Sequence, residues 1–143
     1  MPTINRSALV PFSPEQMFEI VNDVDKYVEF LPWCGASEKL DVEGNSVKAS
    51  VTIAKGPVNK TFITQNTLDI NKEIEMELVD GPFKYLKGCW HFEDIKGQAC
   101  KISLDLEFEF TNGLVSMAIG PIFNQIANSM VDAFVERAKN IYV

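Results

Sequence analysis

Between Cys34 and Thr111 the hydrophobic residues recur at every second position, and no other feature of the chain restricts its fold as strongly. In "KISLDLEFEFT" Ile102, Leu104, Leu106, Phe108 and Phe110 share one side, with Ser103, Asp105, Glu107 and Glu109 on the other. "KEIEMELV" repeats the pattern with Ile74, Met76 and Leu78 against Glu73, Glu75 and Glu77, and "SVKASVTIA" gathers Val47, Ala49, Val51 and Ile53. Clean alternation means a sheet with one buried and one wetted face, which is the habit of antiparallel strands. The turn signals "VEGN", "AKGPVN", "LDINK", "VDGPF" and "IKGQ" divide the region into about six strands.

The flanks have different periods. "TINRSALVPF" reads as a first strand ending at Pro11. In "SPEQMFEIVNDVDKYVEFLPW" the spacing turns helical, with Ser13 as N-cap, Pro14 at the first helical position and Gln16 completing a capping box. The "NDVD" stretch divides this segment, and a second short helix is predicted from Asp25 to Leu31, where Pro32 stops it. At the other end Phe123, Ile126, Ala127, Met130, Phe134, Ala138 and Ile141 repeat at steps of three and four, giving one long amphipathic helix. Pro121 either starts that helix or kinks it at Gly120-Pro121. The predicted class is therefore α+β: a first strand, two short helices, about six antiparallel strands and a long C-terminal helix across the open face of a curved sheet. Such a grip is either filled by side chains or leaves a cavity.

Length and composition bound the function. The 143 residues read as a single domain, 1–143, able to bury about 70% of the surface exposed when unfolded. No run of about 18 apolar residues is present, so no transmembrane segment is expected. "MPTINRSALVPF" lacks the basic and apolar regions of a secretory signal, and a cytoplasmic protein is expected, with a peripheral place at the inner membrane left open. Cys34, Cys89 and Cys100 are odd in number and contain no CxxC pair, which fits reduced packing thiols. A net charge of −7 argues against DNA and against nucleic acid as the main partner, leaving only a local basic patch for phosphate contacts.

Catalytic chemistry is not visible. GxSxG, HExxH, Walker and GxGxxG patterns are absent, and the three cysteines and His91 lack metal-site spacing. His91 reads as a surface or satisfied strand residue, and Asp25 and Glu29 as helix-surface residues. No catalytic residue, metal or required cofactor is expected. The unabsorbed feature is "YVEFLPWCGASE", Tyr27 to Glu38, an aromatic corner that is either ordinary core or the rim of an opening. The long helix facing the sheet offers small and flexible residues, Ala118, Ala127, Met130 and Ala133, with Met117 nearby, which would either pack closely or leave room for a ligand.

Three stretches in order, "YxxFLPWC" from Tyr27, "DGPFxxLxGxWxF" from Asp80 to Phe92 and "MVDAFVERA" from Met130 to Ala138, resemble the bacterial ribosome-association toxin proteins. These are close relatives of the mitochondrial coenzyme-Q-binding proteins in the START-like, or polyketide cyclase/dehydrase, superfamily. The resemblance covers nearly the whole chain and implies a helix-grip fold of six or seven strands. It also implies two roles. One is non-enzymatic binding of ubiquinone or a related polyprenyl lipid in support of respiration. The other is association with the large ribosomal subunit, blocking subunit joining and inhibiting translation. For the first, Leu106, Phe108, Phe110, Met130 and Phe134, with Trp90, would line a tunnel for the tail. Tyr27, Trp33 and the turn at Gly81, Pro82 and Phe83 would form the mouth, gated by Phe30, Leu31 and Pro32. For the second, Lys55, Lys60, Lys84 and Lys87 would supply the cations. A cyclase or dehydratase would instead need an inward acid–base pair, and none is visible.

Overall fold

The computed structural model describes residues 3–142. Seven strands form one antiparallel sheet: β1 (Thr3–Val10), β2 (Cys34–Glu43), β3 (Ser46–Lys55), β4 (Val58–Asp69), β5 (Glu73–Asp80), β6 (Phe83–Ile95) and β7 (Ala99–Phe110). Their order is β1-β7-β6-β5-β4-β3-β2, so β2 to β7 follow one another as successive hairpins and β1 closes on β7. The alternation in the sequence survives in detail. On β7 Cys100, Ile102, Leu104, Leu106, Phe108 and Phe110 are all buried. Register shifts interrupt β2 against β3, β4 against β5 at Ile63/Thr64, and β6 against β7 at Phe83/Tyr85. Such bulges bend a sheet and re-aim side chains, which gives the sheet its curvature.

Helix α1 (Pro14–Asn22) starts as its sequence predicts. The Gln16 amide N–H donates to Ser13 Oγ at 3.1 Å and the Ser13 N–H to Gln16 Oε1 at 3.0 Å, a reciprocal capping box. Met17, Phe18, Ile20 and Val21 are its buried face. The predicted second helix is shorter than Asp25 to Leu31: one 3₁₀ turn (Val24–Lys26) leads into a single turn, α2 (Tyr27–Phe30). Leu31 is extended (φ −94°, ψ 109°) because a residue before proline is pushed out of the helical region.

Helix α3 (Gly113–Ile141) is the long element, capped by Asn112 Oδ1, which accepts from the Val115 N–H at 3.0 Å. It begins eight residues before Pro121 and runs through it, so proline neither starts the helix nor ends it. The stretch ahead of it projects: Leu114 and Met117 are 80% and 79% exposed, and Ala118 is exposed too. Met117 and Ala118 therefore face away from the sheet, against expectation. By length and composition alone α3 would suffice to cross a bilayer. In this fold its buried residues, Ile119, Phe123, Ile126, Ala127, Val131, Phe134 and Ala138, instead face the sheet and α1.

Candidate functional site

Between α3 and the concave face of the sheet lies an apolar space of about 90 Å³. The sheet contributes Ala49, Val51 and Ile53 from β3, Phe62, Thr64 and Asn66 from β4, Met76 from β5, Leu86 and Trp90 from β6, and Leu104 and Leu106 from β7. Phe123, Ile126, Ala127 and Met130 of α3 cover it, and Val24, Tyr27 and Trp33 wall one side. Strand period and helix period converge here, because the inward positions of five strands meet one face of one helix. The space persists because Ala49 and Ala127, 2% exposed each, bring only a methyl group from either side. Gly88 matters underneath: a Cβ there would stand 2.8 Å from Leu106 Cδ1 and 3.0 Å from Met76 Cε, displacing two lining side chains.

The aromatic corner is part of this wall. Trp33 and Tyr27 are each 7% exposed. The Trp33 carbonyl accepts from the Ala54 N–H at 2.8 Å, which ties the corner to β3, and the Leu31 carbonyl accepts from the Cys34 N–H at 3.0 Å within the corner itself. The Tyr27 hydroxyl donates to the Val21 carbonyl, and burial pushes its pKa well above the usual tyrosine value.

Of the thirteen residues that the sequence analysis assigned to a ligand site, five meet at this space: Tyr27, Trp33, Trp90, Leu106 and Met130. The other eight lie elsewhere. Phe83, Phe108 and Phe110 are buried in a close aromatic cluster with Phe123, centroid separations running from 4.8 to 6.3 Å. Phe134 fills the far side of Trp90 (5.2 Å) and touches Tyr27 and Phe30 at 5.3 and 5.6 Å. Phe30 is half-buried under Arg137, whose guanidinium carbon sits 4.8 Å from its ring centroid. Leu31 is core at 2% exposure, Pro82 is half-buried at its turn, and Pro32 is exposed. Phe83, Phe108, Phe110 and Phe134 close space by packing against neighbouring rings, so these four are core and not tunnel wall.

Thirteen lining residues were not assigned to the site from sequence, and two of them are polar. Thr64 and Asn66, 8% and 7% exposed, are the buried polar residues among those described. They occupy alternate positions of β4, and the Thr64 hydroxyl donates to Asn66 Oδ1 at 2.9 Å. Their signal lay in "KTFITQNTL", where polar residues fall on both faces of a strand and mask its inward side. Neither is an acid or a base, so the inward pair needed for cyclase or dehydratase chemistry is not formed by them.

Charged groups lie outside the space. Asp25 Oδ1 accepts from the Lys39 N–H at 2.9 Å, and Glu29 pairs with Arg137 and Lys26 at 3.3 and 3.4 Å. His91 stands between Glu73 (3.5 Å) and Asp105 (3.3 Å) on the outer sheet face. The fold also brings Glu73, Cys89 and His91 together there, ligand atoms within 4.8 Å of one another, although their spacing in sequence suggests no metal site. Burial raises the Cys34 thiol pKa, and together with neighbouring carboxylates it pushes Cys89 and Cys100 up to about 11.

The four lysines assigned to a basic patch come from two places in the sheet, the β3–β4 hairpin and β6. Lys84 pairs with Glu109 at 3.5 Å, and Lys87 stands in register between Glu77 and Glu107. Lys55 and Lys60 flank the β3–β4 hairpin, with Lys55 Nζ donating to Gln125 Oε1 at 3.1 Å.

Comparison with known proteins agrees with this architecture. A family model described as polyketide cyclase / dehydrase and lipid transport matches residues 10–135. The chain is 48% identical over 139 residues to a protein of Pseudomonas aeruginosa named ribosome association toxin RatA, covering 97% of this chain and 96% of that one. It is 29% identical over 142 residues to the mitochondrial coenzyme Q-binding protein COQ10 homolog B of Xenopus laevis, covering 96% of this chain and 58% of that one. Among solved structures, the Zhui aromatase/cyclase of Streptomyces sp. R1128 superposes with a TM-score of 0.87 at 12% identity, over 99% of this chain and 96% of that one. At that identity the likeness shows the fold alone.

Proposed function

The chain belongs to the polyketide cyclase / dehydrase and lipid transport family, and from that premise we propose that it binds a hydrophobic ligand, ubiquinone or a related polyprenyl lipid, without transforming it. The observation that carries this reading is the apolar space under α3, whose lining contains no carboxylate, imidazole or amine and whose one phenol, Tyr27, is committed to the Val21 carbonyl. The named role of the Xenopus relative supports the choice of ligand. At about 90 Å³ the space takes a ring or a short chain segment, whereas small-molecule sites run to roughly 300–1,000 Å³. Binding therefore requires the lining to part, and the flexible thioethers of Met76 and Met130 are the side chains best suited to adapt. Native mass spectrometry of the purified protein, followed by organic extraction, tests the proposal. A stoichiometric quinone or lipid is expected. A protein that is empty and fails to take up added ubiquinone overturns it.

The 48% identity to a protein named for ribosome association favours a second activity, binding to the large ribosomal subunit with inhibition of subunit joining in the cytoplasm. The two activities are compatible, since one uses the interior and the other the surface. Co-sedimentation with purified large subunits across a salt series tests it. Phosphate contacts predict a steep loss with salt. Reversal of Lys55 and Lys60, which flank the exposed β3–β4 turn, is expected to weaken it more than reversal of the carboxylate-flanked Lys84 and Lys87.

A further inference from the structure

We infer that Asn66, held by Thr64, is the polar anchor of the cavity, and that the ligand is uncharged and carries a hydrogen-bond acceptor such as a carbonyl or ether oxygen. The inference rests on the carrier reading and adds to it a contact residue and a ligand chemistry.

Four observations lead to it. Phe62, Thr64 and Asn66 hold consecutive inward positions of β4, so the strand places polar side chains where the alternation calls for apolar ones. The register shift against β5 falls at Ile63/Thr64, a local device of the kind that re-aims a side chain. The Thr64 hydroxyl occupies Asn66 Oδ1 at 2.9 Å, leaving the amide nitrogen as the free end of a side chain only 7% exposed. An amide nitrogen has two N–H groups to donate and nothing to accept with, so the group that matches it is an acceptor.

The rest of the lining has the same sense. The Tyr27 hydroxyl is committed to the Val21 carbonyl. The indole nitrogens of Trp33 and Trp90 can only donate. No Lys or Arg lines the space to neutralise an anion, and no Asp or Glu to hold a cation. A neutral acceptor is the group this wall complements.

The test uses the full chain with 2-octanone, octane and octanoate as probes. The carbonyl stretch of 2-octanone bound to the unmodified protein is expected to fall below its frequency in alkane solution, as it does on accepting a hydrogen bond. Calorimetry then compares 2-octanone with octane in the unmodified protein and in Asn66→Leu. Loss of one neutral hydrogen bond lowers the ratio of the two affinities by roughly tenfold in the variant. An unshifted carbonyl band, an unchanged ratio, or octanoate binding as tightly as 2-octanone overturns the inference while leaving the carrier reading standing. If neither 2-octanone nor octane binds the unmodified protein, the carrier reading fails and takes the anchor with it. Should Asn66→Leu not fold, the infrared measurement on the unmodified protein decides alone.

Discussion

The two ends of the grip between sheet and helix are built from the same elements and serve opposite ends. Where β6 begins and β7 finishes, Phe83 and Phe110 pair in register and stack at 5.0 Å, and Phe123 of α3 comes down on them at 4.9 and 5.9 Å. Phe108 completes an aromatic plug, and Phe62 and Phe123 form its border with the space. Farther along the same sheet and helix, Ala49 and Ala127 supply only methyl groups, Thr64 and Asn66 replace apolar side chains, and a space remains. The hydrophobic pattern is equally strong in both regions. Side-chain volume and two polar positions separate core from container.

That contrast is open to direct attack, beginning with the largest effect. Phe108 is fully buried inside the plug, and Phe108→Ala is expected to cost about 3–5 kcal/mol in chemical denaturation. Met130 is half-buried at the edge of existing space, so Met130→Ala enlarges a cavity already present and is expected to cost about 1 kcal/mol. Equal losses at the two sites would erase the distinction between plug and container. The paired change Thr64→Val with Asn66→Leu removes a buried polar pair together and is expected to raise ligand-free stability by roughly 1 kcal/mol while weakening ligand binding. A destabilised double variant would mean that the pair serves the fold and not the ligand.

The smallest effect concerns the thiols. Cys89 and Cys100 have folded pKa values near 11 against an ordinary value of 9.0. The folded state thus holds protons that the unfolded state releases first. Their contribution is full below pH 9 and is lost as the pH rises through 11. Alkylation of the native protein by iodoacetamide is accordingly expected to stay slow at pH 8 and to climb only towards pH 11. Fast labelling of Cys89 at pH 8 would contradict the burial and carboxylate surroundings assigned to it.

Much of the fold is legible in the sequence because its strongest signals are local. Alternation on β7, the capping box at Ser13 and Gln16 and the helical spacing from Phe123 to Ala138 each require only neighbours within a few residues. Helix ends are less legible: the capping by Asn112 carries α3 eight residues ahead of Pro121, and the proline masks that start. Site geometry is less legible still. Strand alternation places Phe108 inward and helical spacing does the same for Met130, yet only Met130 reaches the space, since the difference depends on what stands opposite in three dimensions. Polar residues at inward positions were the one local clue to the site, and in β4 the surrounding Thr61, Gln65 and Thr67 conceal it.

Both tryptophans of the chain, Trp33 and Trp90, line the cavity, which makes occupancy directly readable. The decisive measurement is a tryptophan fluorescence titration with a short-chain ubiquinone, run on the unmodified protein and on Ala127→Leu, which fills the space from the helix side. Saturable quenching that is present in the first and lost in a folded variant is the predicted result. Quenching that never saturates, or that persists unchanged in Ala127→Leu, would show that the space under α3 is not where a hydrophobic ligand binds.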